Sequence, residues 1–437
     1  MESPKTFQMV VIGVFVVLLI LGFLGFSGKL PLPGSKTDIN YGTVTLWGTL
    51  PSKTMQTLIS AKLAGNKSIV INYVEKSMAT FNRDLIEALA SGQGPDFVLL
   101  PQDEMIKNLN KLNPISYQTM PERDFRDTFL PEGEMFLRPD GIVALPFTLD
   151  PIVMYWNRDI FANAGVVIPP TLWKQFYDLA PKITARDSNG KISRSFVSFG
   201  GYRNVSNAKE ILSIFIMQAG SPVVVRKDGV LSAALVIQGD GSGENPVVSA
   251  VRFFTEFSKP DKDSYSWNSS LPDSRTMFES GDLATYFGYV SEYQLIQQKN
   301  PHLNFDVVRV PQAENTLAKI TFGRMHGLAI TLASKNPQGA LYGELLLTSK
   351  DIIEGISGLT ALPPVRRDSI SLRPADPTLS VFYDSAIIAR AWYDPSPSET
   401  DALFRNMIED VVSGKLNMAQ ALSVVQESMT RLLMAYR

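Results

Sequence analysis

The sequence predicts a two-lobed α/β protein that follows one N-terminal transmembrane helix. Three observations support this prediction. Strand and helix patterns alternate along the chain, its 437 residues are too many for one compact core, and a charge-free segment near the N-terminus is long enough to cross a membrane. Chains of this length commonly divide into units of about 150–200 residues.

The N-terminal segment has no charged residue between Lys5 and Lys29. Its centre, Met9–Phe26, consists almost entirely of Val, Ile, Leu, Phe and Gly and has no polar face. About twenty apolar residues cross a hydrocarbon core of ~30 Å as a helix. A cleavable signal peptide is the competing interpretation, but the end of the run matches a small-x-small cleavage site poorly. We therefore predict an uncleaved anchor at 7–28, followed by a linker containing Pro and Gly at 29–38.

Composition excludes several classes of function. The formal net charge is −2 and no basic stripe is visible, so we expect no nucleic-acid partner. The absence of cysteine excludes disulfides, thiolate metal ligands and a lipid-modified cysteine as the anchor.

Catalytic motifs are also missing from the sequence. The sequence has only two histidines, His302 and His326, so we do not expect a metal site built from histidines or a nucleophile activated by a Ser-His pair. No Gly-x-Ser-x-Gly elbow, His-Glu-x-x-His motif or phosphate-binding P-loop occurs. We predict a monomeric binding protein with no catalytic residues, no metal and no cofactor.

The soluble part begins with strands and helices in alternation. Apolar alternation predicts strands at Tyr41–Leu50, Ser68–Val74 and Asp96–Leu100. Helical spacing predicts helices at Thr54–Ala64 and Phe81–Ala90 between them. Strand, helix and strand in this order indicate parallel βαβ units.

The rest of the chain is also a mixture of strand and helix patterns. The predicted strands are Ile152–Trp156, Phe305–Val310 and Leu328–Leu332. The predicted helices are Pro170–Leu179, Ile211–Ala219, Val248–Phe257 and, as one or two helices, Met407–Leu433.

The loops after predicted strands carry the first candidate ligand contacts, because ligands of open α/β sheets bind beyond the carboxyl ends of the strands. Trp47 and Thr49 follow the first strand, where an indole can stack on a sugar ring and a hydroxyl can bond to it. Tyr202 and Asn204 follow the end of a strand-like run, and Tyr289 ends another. For each aromatic residue the alternative is packing in a core.

Two further candidates lie later in the chain, the first of them at a predicted crossover between lobes. Arg324 lies between two apolar strands and can bind an anionic group. Trp392 is a further aromatic candidate. The nearby His326 is interpreted equally well as a structural hydrogen-bonding residue.

Several short motifs occur in a recognisable order over nearly all of the soluble chain. They are Leu89–Asp96, Ala144–Pro146, Tyr155–Asp159, Ala164–Gly165, Pro169–Trp173, Phe278–Ala284, Asn336–Ala340 and Leu362–Pro364. Together they resemble the family 1 extracellular solute-binding proteins, the maltose-binding-protein-like substrate-binding subunits of ABC transporters. Two features depart from the family: the lipid-attachment cysteine is absent, and Leu100 and Val290 stand where relatives carry sugar-gripping aromatic residues.

The resemblance implies a type II periplasmic-binding-protein-like fold with mixed sheets flanked by helices. A first lobe of 39–148 and 312–362 and a second lobe of 149–311 and 363–437 would enclose a cleft. Such proteins close on a small solute and present it to the permease subunits of an importer. The resemblance therefore implies extracytoplasmic lobes on a single-pass anchor in the cell membrane, and a carbohydrate as the solute.

Two acidic residues become candidates through the same resemblance. Asp103 lies where the family carries a polar ligand contact, and Asp150 matches an acidic ligand residue at the first crossover. The residues themselves leave alternatives open. Asp103 can be a solvated acid that caps the following helix, and Asp150 can be a turn acid before Pro151.

Two other functions remain open at this point. A surface-anchored carbohydrate-active hydrolase would use paired carboxylates, which are plentiful in the sequence. A ligand-sensing ectodomain would bind a solute and contact a separate sensor.

Overall fold

The computed structural model describes residues 39–227, 230–236, 245–314 and 318–434. The strands in chain order are β1 (Thr43–Gly48), β2 (Val70–Glu75), β3 (Phe97–Pro101), β4 (Leu137–Arg138), β5 (Gly141–Ile142), β6 (Leu145–Asn157), β7 (Ala185–Arg186), β8 (Ile192–Val197), β9 (Val224–Lys227), β10 (Val230–Ala233), β11 (Leu283–Tyr289), β12 (Phe305–Val308), β13 (Thr321–Ile330) and β14 (Ala389–Arg390). Ten of them form one sheet with the main order β2-β1-β3-β13-β6-β11-β8-β7, in which β12 also pairs with β6 and β14 with β13.

Helices cover this sheet and close the chain. They are α1 (Ser52–Lys62), α2 (Phe81–Ala90), α3 (Gln102–Asn108), α4 (Glu122–Thr128), α5 (Arg158–Asn163), α6 (Gln175–Ile183), α7 (Ala208–Gln218), α8 (Pro246–Glu256), α9 (Ser274–Glu279), α10 (Glu292–Lys299), α11 (Pro337–Leu347), α12 (Lys350–Thr360), α13 (Arg367–Ile370), α14 (Pro377–Ile387), α15 (Pro397–Val412) and α16 (Met418–Met434). Short 3-10 turns lie at Leu109–Lys111 and Pro131–Phe136.

The N-terminal third forms the parallel part of the sheet. β1 pairs in parallel with β2 along its whole length and with β3 from Leu46 to Gly48. Helices α1 and α2 connect these strands, so the predicted βαβ units are confirmed. The bounds of α2 match the prediction at both ends.

Two long strands, β6 and β13, join the two halves of the sheet. The first part of β6 pairs antiparallel with β13, and its second part pairs with β11 and β12. The C-terminal part of β13 returns to β3. The crossing segments are therefore continuous strands, whereas a turn at Asp150 was one of the alternatives left open by the sequence and Arg324 was expected at a connection between two strands. The polar residues of both segments alternate with buried apolar ones, which suits a strand with one polar face.

Apolar side chains form two separate cores, one for each lobe. The first contains buried residues from β1 to Leu149 and from Met325 to Ile356, and it also includes Val365 and Ile370. The second contains Ile152 to Phe322, Trp392 and the buried faces of α15 and α16. The first core thus reaches past residue 362, where we had placed the crossover. This arrangement confirms a two-lobed fold with a mixed sheet.

One polar side chain fixes the packing of the second core. The Trp173 indole N–H donates to Oε1 of buried Gln218 at 2.7 Å, and its ring packs 4.6 Å from the Phe215 ring. The Gln218 amide donates in turn to the carbonyls of Pro311 and Ile320. Each polar atom of this buried pair is satisfied, as a stable core requires.

Among residues 39–434, excluding the three gaps named above, no helix combines the length and apolar character needed to span a bilayer. The predicted anchor at 7–28 and linker at 29–38 lie outside the described residues.

Glu344 on α11 is a buried acid in the first lobe. Its Oε1 accepts a hydrogen bond from the Leu145 N–H at 3.3 Å, and its side chain is excluded from solvent. Burial raises the pKa of this carboxyl well above its usual range, and the Leu145 N–H only partly offsets that effect. The folded state therefore holds a neutral acid where the unfolded chain would hold a carboxylate.

We expect Glu344→Gln to become increasingly stabilising, relative to the natural protein, as the pH rises from 4 to 8. The raised pKa in the folded state means that ionisation of the unfolded chain above pH 4.5 costs folding stability, and glutamine removes that cost. Urea midpoints of both proteins at several pH values measure the effect. The exposed Glu87→Gln on α2 is the control for loss of one carboxyl, and an identical pH trend in the two variants would contradict the prediction.

Candidate functional site

The paired strands β6 and β13 present one polar face and one apolar face. Arg324 lies opposite Asp150, and His326 lies opposite Thr148. Because side chains alternate along a strand, these four residues point to the same side. The intervening Leu149 and Met325 are fully buried in the first core. The polar face forms the floor between the lobes.

Arg324 is the cation at the centre of this floor. Its guanidinium lies 4.6 Å from the centre of the Tyr289 ring, at the end of β11. One of its nitrogens lies 3.4 Å from Oε1 of Glu210, in the first turn of α7. Burial acts to lower the pKa of Arg324, but Tyr289, Asp103 and Glu210 outweigh it and hold the group protonated. Arg324 therefore links the floor to two elements of the second lobe.

Asp103 brings a carboxyl to the floor from the first lobe. It lies in the first turn of α3, directly after β3. Its charge acts on Lys209 and Arg324, both of which it helps to keep protonated. Its Oδ1 is buried and has no hydrogen-bond partner within the parts of the chain that the structure describes. An unpaired buried carboxylate oxygen is costly unless a partner arrives from outside.

A buried ion pair borders the floor on the second-lobe side. Lys209 Nζ lies 2.8 Å from Oδ2 of Asp394, and the Thr400 hydroxyl donates to the same carboxylate. Burial acts to lower the pKa of Lys209, but Asp394 and Glu210 raise it above its usual value. Next to the pair, the Trp392 ring centre lies 5.8 Å from Nζ.

Tyr289 offers a second open hydrogen-bonding atom. Only 5% of this residue is exposed, and its hydroxyl oxygen has no partner among the described residues. Burial and the charge of Glu210 raise the pKa of the phenol well above its usual range, so the hydroxyl stays neutral. A neutral hydroxyl can both donate and accept.

Burial also shifts the two remaining titratable groups of the floor. It raises the pKa of Asp150 to about 6, although the backbone N–H of Ser291 donates to Oδ1 at 3.0 Å. It lowers the pKa of His326 to about 4, helped by the nearby charge of Arg324. His326 is therefore neutral at pH 7, with Nδ1 lying 3.3 Å from the Thr148 hydroxyl.

The structure brings together four of the nine candidates from the sequence. Asp103, Asp150, Tyr289 and Arg324 form what we call the interlobe cluster, together with Lys209, Glu210 and Asp394. Trp392 lies at its edge beside Lys209.

The other four candidates lie elsewhere. Trp47 is half-buried against the first core and carries the Lys76 ammonium 3.8 Å above its ring, and Thr49 lies two residues further along the chain. The Tyr202 hydroxyl donates to Asp401 at 2.7 Å. The Asn204 side-chain amide donates to the carbonyls of Asn268 and Leu271, and its oxygen accepts from the Trp267 indole N–H.

Sequence reasoning missed Lys209, Glu210 and Asp394. Lys209 and Glu210 lie in the first turn of a helix whose other residues are almost all buried. Two adjacent charges at the start of such an apolar helix were the signal from which a polar site could have been predicted. Asp394 follows Trp392 by two residues and precedes Pro395, which resembles an ordinary turn. No local pattern distinguished it from other turn acids.

Comparison with known proteins identifies the fold. A family model described as bacterial extracellular solute-binding protein matches residues 48–342. No curated protein sequence matches the chain.

Three solved structures illustrate the likeness. An ABC transporter solute-binding protein from Thermotoga lettingae, bound with α-D-tagatose, has a TM-score of 0.67 and 20% identity over 90% of this chain and 100% of its own. The GacH receptor of Streptomyces glaucescens, solved unliganded and with acarbose, has a TM-score of 0.68 and 16% identity, and the match covers 91% of this chain and 99% of the receptor. The cyclic α-maltosyl-1,6-maltose binding protein of Arthrobacter globiformis has a TM-score of 0.71 and 16% identity, and the match covers 90% of this chain and 98% of that protein. At these identities the structures establish the fold alone.

Removal of either of two tyrosine hydroxyls should affect the free energy of unfolding to different extents. We expect Tyr289→Phe to leave the free energy of unfolding within about 0.5 kcal/mol, because its hydroxyl has no partner in the described parts of the chain. Tyr155→Phe should cost about 1 kcal/mol or more, because the buried Tyr155 hydroxyl donates to the Tyr289 carbonyl at 2.6 Å. Chemical denaturation measures both variants, and equal losses would show that the Tyr289 hydroxyl is not free.

Proposed function

We propose that this chain, which belongs to the bacterial extracellular solute-binding protein family, captures a small carbohydrate between its lobes and presents it to an ABC-type importer. The observation that carries the proposal is that two of the buried oxygens without a hydrogen-bond partner in the described chain are Asp103 Oδ1 and the Tyr289 hydroxyl. They come from different lobes and share the same charged floor. A solute that bonds to both would hold the lobes together.

A polyhydroxylated solute suits the chemistry of the cluster. Each sugar hydroxyl can donate to a carboxylate and accept from a guanidinium or phenol. Asp103 and Asp150 supply acceptors, Arg324 supplies donors, and Tyr289 supplies both. The saccharides bound to the T. lettingae and S. glaucescens proteins, tagatose and acarbose, support this choice of class.

We assign Asp103, Asp150, Tyr289 and Arg324 as the principal contacts and Trp392 as a wall of the cleft. The other predicted contacts, Trp47, Thr49, Tyr202 and Asn204, would be reached only by a larger solute or after movement of the lobes. The lobe limits of 39–148 with 312–362 and 149–311 with 363–437 remain our proposal for the moving bodies.

We also propose that the lobes lie outside the cytoplasm on an uncleaved helix at 7–28. The helix would hold the protein on the bilayer beside its permease subunits, and the linker at 29–38 would let the lobes reach them. The length and charge-free composition of the segment support this arrangement.

A correct saccharide should stabilise the protein and close it. At a concentration of one hundred times Kd we expect about 2.7 kcal/mol of added unfolding free energy. Thermal shift against a panel of sugars, peptides, polyamines and phosphates identifies the class. Small-angle scattering with the best sugar should show a smaller radius of gyration, because both lobes then contact the solute.

The Tyr289→Phe variant tests whether the sugar bonds to this hydroxyl. The variant should fold normally but bind the sugar about two- to tenfold more weakly, because one hydrogen bond to the sugar is lost. Stabilisation by a non-sugar alone, or an unchanged radius at saturation, would contradict the proposal. Release of cleaved sugar would favour a surface-anchored hydrolase instead.

Deletion of residues 1–28 should move the protein from the membrane to the soluble fraction. The full chain should remain in the membrane fraction after a high-salt wash, because apolar insertion is insensitive to salt while electrostatic attachment is not. Fractionation followed by N-terminal sequencing tests this expectation. A mature chain that begins near Ser27 or Gly28 would mean that the segment is a cleaved signal peptide.

A further inference from the structure

Carboxyl groups outnumber cations in the interlobe cluster. Within the described residues the cluster contains four acids and two cations: Asp103, Asp150, Glu210, Asp394, Lys209 and Arg324. His326 adds no positive charge at pH 7, because its pKa is lowered to about 4. The floor between the lobes therefore has an excess of negative charge.

The pairing within the cluster shows which acids lack a cationic partner. Asp394 lies 2.8 Å from Lys209, and Glu210 lies 3.4 Å from Arg324. Asp150 accepts from the backbone N–H of Ser291, and it has no ion pair within 4.0 Å in the part of the chain that the structure describes.

Asp103 is the least compensated of the four acids. Its Oδ1 is buried with no partner in the described chain, although Lys209 and Arg324 are close enough to feel its charge. Each of those cations already has a carboxylate at short range. Asp103 Oδ1 is thus open to a donor from outside the chain, and Asp150 has no cation of its own within 4.0 Å among the described residues.

Tyr289 provides an independent sign of a ligand at the same place. Its side chain is 95% buried, since 5% remains exposed, and its hydroxyl has no partner among the described residues. The charges of Glu210, Asp103 and Asp150 all reach this hydroxyl. The open Tyr289 hydroxyl and the carboxyl groups of Asp103 and Asp150 therefore belong to one electrostatically connected cluster.

Neighbouring charges do not compensate the excess. Glu292, which is close to Asp150, accepts from the Tyr286 hydroxyl at 2.6 Å and the Tyr289 N–H at 3.0 Å. Its cation is Arg275, at 3.7 Å. Arg275 also lies 2.9 Å from Glu279, so this group contains two acids and one cation and does not offset the negative charge of the floor.

We propose that the solute is an amino sugar, whose protonated amine binds Asp103 and Asp150 while a neighbouring ring hydroxyl bonds to Tyr289. The inference rests on the proposed carbohydrate-binding function and narrows its substrate class. An ammonium group has three donors and no acceptor, so it satisfies acidic oxygens that a sugar hydroxyl fills less strongly. It also removes the cost of an uncompensated carboxylate in a desolvated site.

Matched saccharides test the inference with the natural protein. Isothermal titration calorimetry at pH 7 would compare glucosamine, galactosamine and mannosamine with their N-acetyl derivatives and with glucose, galactose and mannose. The three sets share ring stereochemistry and differ in the substituent at carbon 2, which is charged only in the amino sugars. We expect at least one amino sugar to bind about tenfold or more tightly than both of its neutral counterparts, with an affinity that falls as salt is added.

The variant Asp103→Asn locates the effect. It should reduce the preference for the amine severalfold, while the affinity for the neutral parent sugar changes less. The control is Asp124→Asn, an exposed acid in the first turn of α4 of the same lobe, which should preserve the preference. Circular dichroism confirms that both variants fold, and the comparison in the natural protein does not depend on either.

The outcomes separate the inference from the function on which it rests. Neutral sugars that bind as tightly as their amino counterparts would overturn the inference and leave carbohydrate capture intact. Absence of binding by any saccharide, neutral or amino, would overturn both. An equal loss for amino and neutral sugars in Asp103→Asn would assign Asp103 to hydroxyl recognition and would also overturn the inference.

Discussion

The two-residue period of the crossing strands constrains the whole site. β6 and β13 must present Leu149 and Met325 to the first core, so the alternate residues project to the opposite side. Those residues are polar, which places Arg324 and Asp150 between the lobes instead of in either core. A shift of one residue in either strand would bury the charges in the core and expose the apolar face.

The charged floor then determines what the second lobe must supply. Arg324 is partly buried, and a buried cation without partners would cost several kcal/mol. Glu210 at the start of α7 and the Tyr289 ring at the end of β11 provide those partners. The unsatisfied oxygens of Asp103 and Tyr289 are two of several such exceptions within the described chain, and these two belong to one cluster of charges. Because native proteins satisfy nearly all buried polar atoms, such exceptions from two lobes at one place indicate an external partner.

Local patterns in the sequence predicted the parts of the fold that local physics controls. Helix α2 matches its predicted bounds, since Phe81 and Leu85 repeat at helical spacing and a Gly- and Pro-containing stretch stops it. β13 begins seven residues before its predicted start at Leu328, because glycines and charges interrupt the apolar alternation. Only pairing with β6 and β3 makes that segment a strand.

The candidate residues also divide into those that local patterns in the sequence indicate and those that depend on tertiary packing. Tyr289 and Asp103 follow or end buried strands, so the rule that ligands bind at the carboxyl ends of strands located them. The rule also selected Tyr202, whose hydroxyl is occupied within its own lobe by Asp401. Lys209 and Asp394 reach the cluster through tertiary packing of segments 185 residues apart, which no local pattern encodes.

The protonation of Asp150 connects the site to the energetics of the fold. Burial raises its pKa from 3.8 to about 6, against the opposing effects of Ser291 and Arg324. The group therefore favours the folded state fully below pH 3.8, and this contribution is lost as the pH rises through about 6. Above that range the protein holds a carboxylate that one backbone N–H satisfies only in part. A solute that donates to Asp150 would lower its pKa again, so binding near pH 5 to 6 would release protons, and the solute would recover stability that the empty site has lost.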